Sequence, residues 1–519
     1  MTYKHQFGKH SVNAILGYSA EETSYRRTYI DKYDYAVDAI PTLNQAITIS
    51  QDDAFTNKSS ETMIGSYARA MYNYNGKYYL TACVRRDGSS KFGIDKKWGI
   101  FPSFSAAWRV SDEAFFSPLK KIANDLKIRG GWGIIGNSGI GNYKDKSLLL
   151  QTSYIFGSDS KLSAGYVDAN VANPLLAWES TTDFGLGTDI EFLNSRISFS
   201  MDYYYKLTEN MLFNMPLPVI SGFGSYLVNI GSMRNRGFEY MLRTKNMVGE
   251  FNWTTSFNLS YYKNRVLNTG AAKRPLISNN AYSIEGKPLS GLWGSYSLGA
   301  YDNWEDVKTN PIVNASNPLW KYRSSPGTAK LFDVNGDGII DGSDNTIIGN
   351  PNPDFIWGMT NNLEYKGFDL SVQVNGVSGG DHIMVRMEPL MARNNGTGNT
   401  VHLYYDNYWR PDRTDGIYAV PARKSWDGTT TRGTLVFKGT YVNIQNISFG
   451  YTLPKSINKW TNLNKVRLYT SIQNAFLFTK YPGYNPEVNY AGNSALSQGM
   501  DNGAYPMTRT ISFGINVSF

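Results

Sequence analysis

Thr508-Arg509-Thr510-Ile511-Ser512-Phe513-Gly514-Ile515-Asn516-Val517-Ser518-Phe519 is the stretch whose reading decides the fold. Side chains alternate across a strand with a period of two. Ile511, Phe513, Ile515, Val517 and Phe519 therefore share one face, and Thr510, Ser512, Gly514, Asn516 and Ser518 the other. One such strand could cover a soluble core. The pattern recurs along the whole chain, however, and so many apolar faces need a common place to go, for which lipid is the simplest.

The bulk composition agrees. At 519 residues the chain exceeds what one soluble core usually covers, yet no linker divides it. Apolar residues make up 41%, with no run approaching eighteen and no sustained 3.6-residue period, which excludes a helical membrane protein. Aromatics at 14%, 37 Tyr and 49 Gly describe a β-rich, turn-rich chain with interfacial aromatic girdles. The formal charge of +8 is spread among carboxylates without a basic helix or zinc-finger spacing, so no nucleic-acid partner is expected. Cys83 is the single cysteine and forms no intrachain disulfide. The first residues show neither basic n-region nor apolar h-region, so a signal peptide is read as absent.

Strands are expected at 10–20, 62–74, 77–86, 99–110, 125–135, 179–192, 196–206, 234–246, 250–263, 355–365, 368–377, 440–451, 464–478 and 508–519, about 14 in all. Short turns such as Asn75-Gly76 and Lys366-Gly367 alternate with long connections, among them 19–61, 136–178, 207–233, 264–354, 378–439 and 479–507. That alternation is what a membrane barrel imposes: tight periplasmic turns and long outer loops. The strand-like piece 291–301 would break the parity and is assigned to an excursion within the 264–354 loop, and residues 1–6 to the end of an earlier strand. The fold class is thus all-β, an antiparallel transmembrane β-barrel with long extracellular loops.

One motif is chemically specific. Residues 333–344 match a calcium loop, with oxygen donors at positions 1, 3, 5, 9 and 12 from Asp333, Asn335, Asp337, Asp341 and Asp344, the Ile339 carbonyl at position 7, and Gly338 at the sharp turn. Asp344 is shorter than the usual Glu at position 12, which favours a structural Ca²⁺ staple of the 302–354 extracellular loop over a sensor; a plain series of Asx and Gly turns is the other reading. The four histidines have no metal-ligand spacing, and His10 is read as a solvated or lumen group. No nucleophile elbow, P-loop or dinucleotide fingerprint is present, and no enzymatic activity is expected.

With these elements in place, the chain resembles the C-terminal part of the SusC/RagA family of TonB-dependent outer-membrane transporters. The resemblance rests on Val-Arg-Arg-Asp-Gly-Ser-Ser-Lys-Phe-Gly at 84–93, Trp-Gly-Ile-Phe-Pro-Ser-Phe-Ser-Ala-Ala-Trp-Arg-Val-Ser at 98–111, Gly-Asn-Ser-Gly-Ile-Gly-Asn-Tyr at 136–143, Gly-Ser-Met-Arg-Asn-Arg-Gly-Phe-Glu at 231–239, Tyr-Lys-Gly-Phe-Asp-Leu-Ser at 365–371 and Pro-Gly-Tyr-Asn-Pro-Glu at 482–487, together with the calcium-type loop. It implies a 22-stranded barrel with an N-terminal plug, of which about 14 strands and no plug are read here, so that 1–519 is expected to be a barrel fragment. It further implies uptake of oligosaccharides or peptides, a SusD-like surface lipoprotein as lid, the TonB complex acting through the N-terminal part, and a cell outer-membrane location. Two other readings compete: a passive outer-membrane pore of about 14 strands, and a surface protein binding glycan or calcium through Trp293, Trp304, Trp320, Trp409 and Trp426 in the long connections.

Overall fold

The computed structural model describes residues 1–519 apart from 36–45, 157–160, 272, 279–280, 310–311, 314–324, 381, 386–400, 421–431, 455–462 and 493. Fifteen of its strands form one sheet whose order follows the chain. They are β1 (Thr2–Phe7), β2 (His10–Tyr35), β3 (Ala46–Tyr74), β4 (Tyr78–Ser89), β5 (Trp98–Arg109), β6 (Ala123–Asn137), β7 (Glu179–Phe192), β8 (Ile197–Glu209), β9 (Ser232–Met247), β10 (Phe251–Asn268), β11 (Phe355–Tyr365), β12 (Phe368–Ser378), β13 (Tyr441–Thr452), β14 (Lys465–Thr479) and β15 (Thr510–Ser518). By internal contacts the chain divides into two units. One holds Met1–Trp108, Gly130–Phe184 and Leu207–Gly231; the other holds Arg109–Arg129, Gly185–Lys206 and Ser232–Phe519. No helix among the described residues is long and apolar enough to cross a membrane.

The apolar faces are uncovered. Phe513 is 83% exposed and Ile515 66%, although both lie in well-paired strand. The register puts like with like: Leu468 opposite Ile515, Leu259 opposite Trp357, Val374 opposite Met359. An uncovered face of this extent on a protein in water would be an aggregation surface; in hydrocarbon it is the solvated one.

Aromatic rows mark the ends of that face. In the first unit Phe7 stacks on His10 (5.0 Å between ring centroids), His10 meets Tyr74 in a tilted contact (4.9 Å), and Tyr78 stacks on Trp108 (6.5 Å). His10 thus belongs to the girdle beside the short turns and not to the polar face; its Nδ1 lies 2.8 Å from the Tyr72 hydroxyl. In the second unit Phe368 of β12 meets Tyr451 of β13 at 4.4 Å near the turns, and Tyr261 of β10 meets Phe355 of β11 at 5.1 Å at the far end of the neighbouring strands.

Two expectations are corrected. The 19–61 connection is largely ladder: β2 and β3 remain paired from His10↔Tyr74 to Tyr35↔Ala46, with a bulge between Ile30 and Lys32, while 36–45 lies outside the described residues. The apolar alternation stops near residue 20, but Thr, Tyr and Ile keep β propensity high, so pairing outlasts the signal used to find it. The long connections are also not plain loops. Those of the second unit carry a four-stranded sheet containing Leu276–Ser278, Ala281–Ser283, Gly291–Ser295 and Asn345–Gly349, and a three-stranded one containing Val436–Lys438, His382–Val385 and Met500–Asp501. Their cores are closed: Ala281, Leu292, Met384 and Met500 pack as one buried cluster. Gly291–Ser295 and Ser297–Ala300 stay outside the main sheet, as the parity requires.

Candidate functional site

The polar face of the second unit repeats one device twice: an arginine crosses a glycine on the next strand to reach an aspartate on the strand beyond. Arg129 of β6 passes over Gly187 of β7, and its Nη1 and Nη2 grip the Asp202 carboxylate of β8 at 2.6 and 2.8 Å. Its Nε donates to Asp189 at 3.1 Å, and Ser200 Oγ donates to the same carboxylate at 2.8 Å. A Cβ on Gly187 would run into Asp202 Oδ1 and lie 3.0 Å from Arg129 Cζ, so only glycine leaves the guanidinium room. Arg467 of β14 likewise crosses Gly450 of β13, where a Cβ would stand 2.5 Å from its Nη2, and pairs with Asp369 of β12 through Nε (2.8 Å) and Nη2. Such bidentate pairs are geometrically specific, and each ties three strands together.

Beside Arg129 and Asp202 the wall opens into a concavity of about 510 Å³, whose polar lining includes Glu239, Ser256, Asn258, Thr360, Gln373 and Asn375. Hydroxyl, amide and carboxylate groups set along alternate positions offer many exchangeable hydrogen bonds. That chemistry suits a hydrated polar surface, and both Asp189 and Asp202 are already committed to the guanidinium. The sequence reading did not single out these residues. Their signal was available in Asp189, Asp202 and Asp369 sitting on the polar parity of otherwise clean strands, with Gly187 and Gly450 at matching positions.

The motif at 84–93 serves the first unit's outer end. Phe92 is fully buried against Leu176 and Trp178, Trp178 Nε1 donates to the Lys97 carbonyl (2.9 Å), and Gly93 faces the Pro174 carbonyl with no room for a Cβ. Arg85 Nε bonds Asp87 at 2.8 Å, and Lys91 pairs with Glu61 at 2.7 Å.

The calcium-type loop is a tight nest of Asx turns. Asp333 accepts from the amides of Gly336 (2.7 Å) and Gly338 (2.8 Å), Asn335 from Asp337 (2.9 Å), Asp337 from Ile339 (2.8 Å), and Asp341 from Ser343 (2.7 Å). Asp344 is buried, accepting from Val334 (2.9 Å) and Asp341 (2.7 Å). Gly336 and Gly338 both take positive φ (76° and 79°). Among the described residues no three His, Cys, Asp or Glu side chains converge as a ready ligand set. Of the loop tryptophans, Trp293 stacks on Tyr282 at 4.4 Å, Trp409 packs on Gly327, Trp304 is exposed, and Trp320 and Trp426 lie outside the described residues.

An antiparallel meander with an uncovered apolar face, two aromatic girdles and a polar opposite face defines the class, an outer-membrane β-barrel. Residues 2–375 match the family described as TonB dependent receptor-like, beta-barrel, and the chain belongs to that family. TonB-dependent receptor P3 of Formosa agariphila is 31% identical over 537 residues, covering 100% of this chain and 52% of the relative. TonB-dependent receptor SusC of Bacteroides thetaiotaomicron is 28% identical over 476 residues, covering 88% and 44%. Among solved structures, the RagAB peptide transporter superposes with a TM-score of 0.82 at 20% identity, over 100% of this chain and 54% of that one. The resemblance to the SusC/RagA kind therefore holds, and the location is the outer membrane. The chain spans about half the length of the curated relatives it matches.

Proposed function

We propose that this chain is the wall and outer vestibule of a TonB-dependent transporter of the SusC/RagA type that imports oligosaccharides or peptides across the outer membrane together with a SusD-like lipoprotein. The observation that carries this reading is the superposition on the RagAB peptide transporter across the full chain, with a curated relative, SusC, matching 88% of the same sequence. The polar wall beside Arg129 supports it, since a hydrated ligand needs many weak, exchangeable hydrogen bonds along its path. Force from the TonB complex would enter through parts of the transporter other than this wall. Deletion of the whole gene should abolish growth on one limiting oligosaccharide or peptide mixture, and restoration should require an intact TonB complex. Uptake that continues unchanged without TonB would overturn the reading in favour of a passive pore.

For the 302–354 region we propose a structural Ca²⁺ held by Asp333, Asn335, Asp337, the Ile339 carbonyl, Asp341 and Asp344. Oxygen-only donors suit a hard cation, and each carboxylate oxygen that accepts one amide keeps further acceptor capacity. Chelation with EGTA should raise hydrogen exchange at 325–349 while leaving the main sheet protected. Identical exchange with and without calcium would leave the Asx-turn reading in its place.

A further inference from the structure

The first unit carries unmatched cations on the face that meets lipid, and the ladder fixes the height of each one. The register places His10, Tyr74, Tyr78 and Trp108 in one outward row beside the short turns. Ala20, Ile64, Gly88 and Trp98 form another row of the same face, further along the strands by the distance from His10 to Ala20. Those ten residues span about 33 Å of strand, which at the usual barrel tilt is about 25 Å of depth, the height of an apolar band. Leu16, Tyr18, Val84 and Ile100, all exposed, fill the rows between. Trp98 thus marks the outer interface.

Arg86 sits at that boundary. It shares a row with Tyr18, Ser66 and Ile100, one step inside Trp98, and its side chain reaches outward until Cζ lies 4.3 Å from the centroid of the Trp98 ring. Trp98 in turn lies across Gly88, where a Cβ would stand 2.9 Å from the indole, so glycine leaves room for the ring. The Arg86 guanidinium meets no carboxylate among the described residues. Asp87, its neighbour in sequence, falls on the opposite face and is held by Arg85 Nε at 2.6 Å.

Beyond Trp98 the same face continues onto the β2–β3 ribbon, where its rows are Glu22 with Thr62, Ser24 with Ser60, Arg26 with Lys58, and Thr28 with Thr56. Arg26 and Lys58 are exposed and directly opposed, an arrangement that costs free energy unless an anion lies between them. Neither has an ion pair among the described residues. Glu22, the one carboxylate on this face between His10 and Ile30 and their partners, stands a full four residues from Arg26 along the strand. Hydroxyls of Ser24, Ser60, Thr28 and Thr56 flank the cation pair. At about 3.3 Å per residue, the pair lies about 20 Å along the strands past the Trp98 row.

A ligand that fits this face is apolar beside Leu16, Val84 and Ile100, anionic at Trp98, and both anionic and hydroxyl-rich further out. We propose that it is a phosphorylated glycolipid of the outer leaflet. Its acyl chains lie on Leu16, Val84 and Ile100, a phosphate meets Arg86, and anionic groups of its sugar headgroup meet Arg26 and Lys58. The site does not rest on the transport reading, since it occupies the lipid side of the sheet.

The test is native mass spectrometry of the full-length protein, delipidated in mild detergent and titrated with rough lipopolysaccharide, with the same lipopolysaccharide after dephosphorylation, or with phosphatidylglycerol. Rough lipopolysaccharide should be retained about tenfold more than either of the others. Arg86→Gln, and separately Arg26→Gln with Lys58→Gln, should each lower its retention about tenfold, while the heat-modifiable gel mobility of the folded protein stays as in the wild type. Arg27→Gln removes the adjacent charge from the opposite face of the same ribbon and should leave retention within about twofold. Equal retention of the dephosphorylated lipid or of phosphatidylglycerol would overturn the proposal. So would wild-type retention by either the Arg86 variant or the Arg26–Lys58 variant, or an equal loss with Arg27→Gln.

Discussion

At the scale of single residues, the polar wall depends on two glycines whose only role is to be small. Gly450→Val should push Arg467 off Asp369 and Gly187→Val should push Arg129 off Asp202. Each should cost about 1–3 kcal/mol through overpacking and a broken ion pair. Because these pairs are about a third exposed, screening keeps the electrostatic share near 1 kcal/mol. Gly224→Ala, where a Cβ would meet open space, should stay within about 0.5 kcal/mol. Urea midpoints of refolding into detergent micelles would rank the three. The alternation of Ile511 to Phe519 was readable because lipid demands apolar residues at every second position. Arg129 and Asp202 were not, because 73 positions separate them and either alone looks like an ordinary polar residue of a strand.

At the scale of elements, the outer segments are folded bodies, and one buried pair offers a handle on them. Tyr481 donates to Asp501 at 2.6 Å beside Ile383 and Val385, and Asp501 also accepts from the amides of Gly503 (2.9 Å) and Ala504 (3.0 Å). Burial, and then the adjacent Asp501, raises the Tyr481 phenol well above its ordinary value. The sign follows: a raised pKa contributes stability that is complete below the unfolded value of about 10 and is lost as pH climbs through the folded one. Hydrogen exchange across 480–504 should therefore stay slow at pH 8 and accelerate above about pH 10, and Tyr481→Phe should flatten that rise. Apart from the far ends of β2 and β3, strand positions in the main sheet were legible to within a few residues, since turn chemistry and alternation agree there. The small outer sheets of the second unit were hidden because two- to five-residue strands give no period to read.

At the scale of the whole molecule, the chain direction fixes which groups face outward, and labelling on intact cells tests it. In a Cys83→Ser background, Asn57→Cys should react with a membrane-impermeant maleimide, whereas Lys366→Cys should react only after the outer membrane is permeabilised. The reverse pattern would invert the topology. An alkaline, high-salt wash should leave the protein with the membrane fraction, as the uncovered Phe513 and Ile515 face requires. The β2–β3 ribbon carries a consequence for the cell. Its strands run 26 and 29 residues, where about ten suffice to traverse the bilayer. At about 3.3 Å per residue the surplus is on the order of 50 Å of paired backbone. That length of paired backbone stands clear of the acyl chains, with Tyr25 more than half exposed, so an antibody raised against the ribbon should bind intact cells.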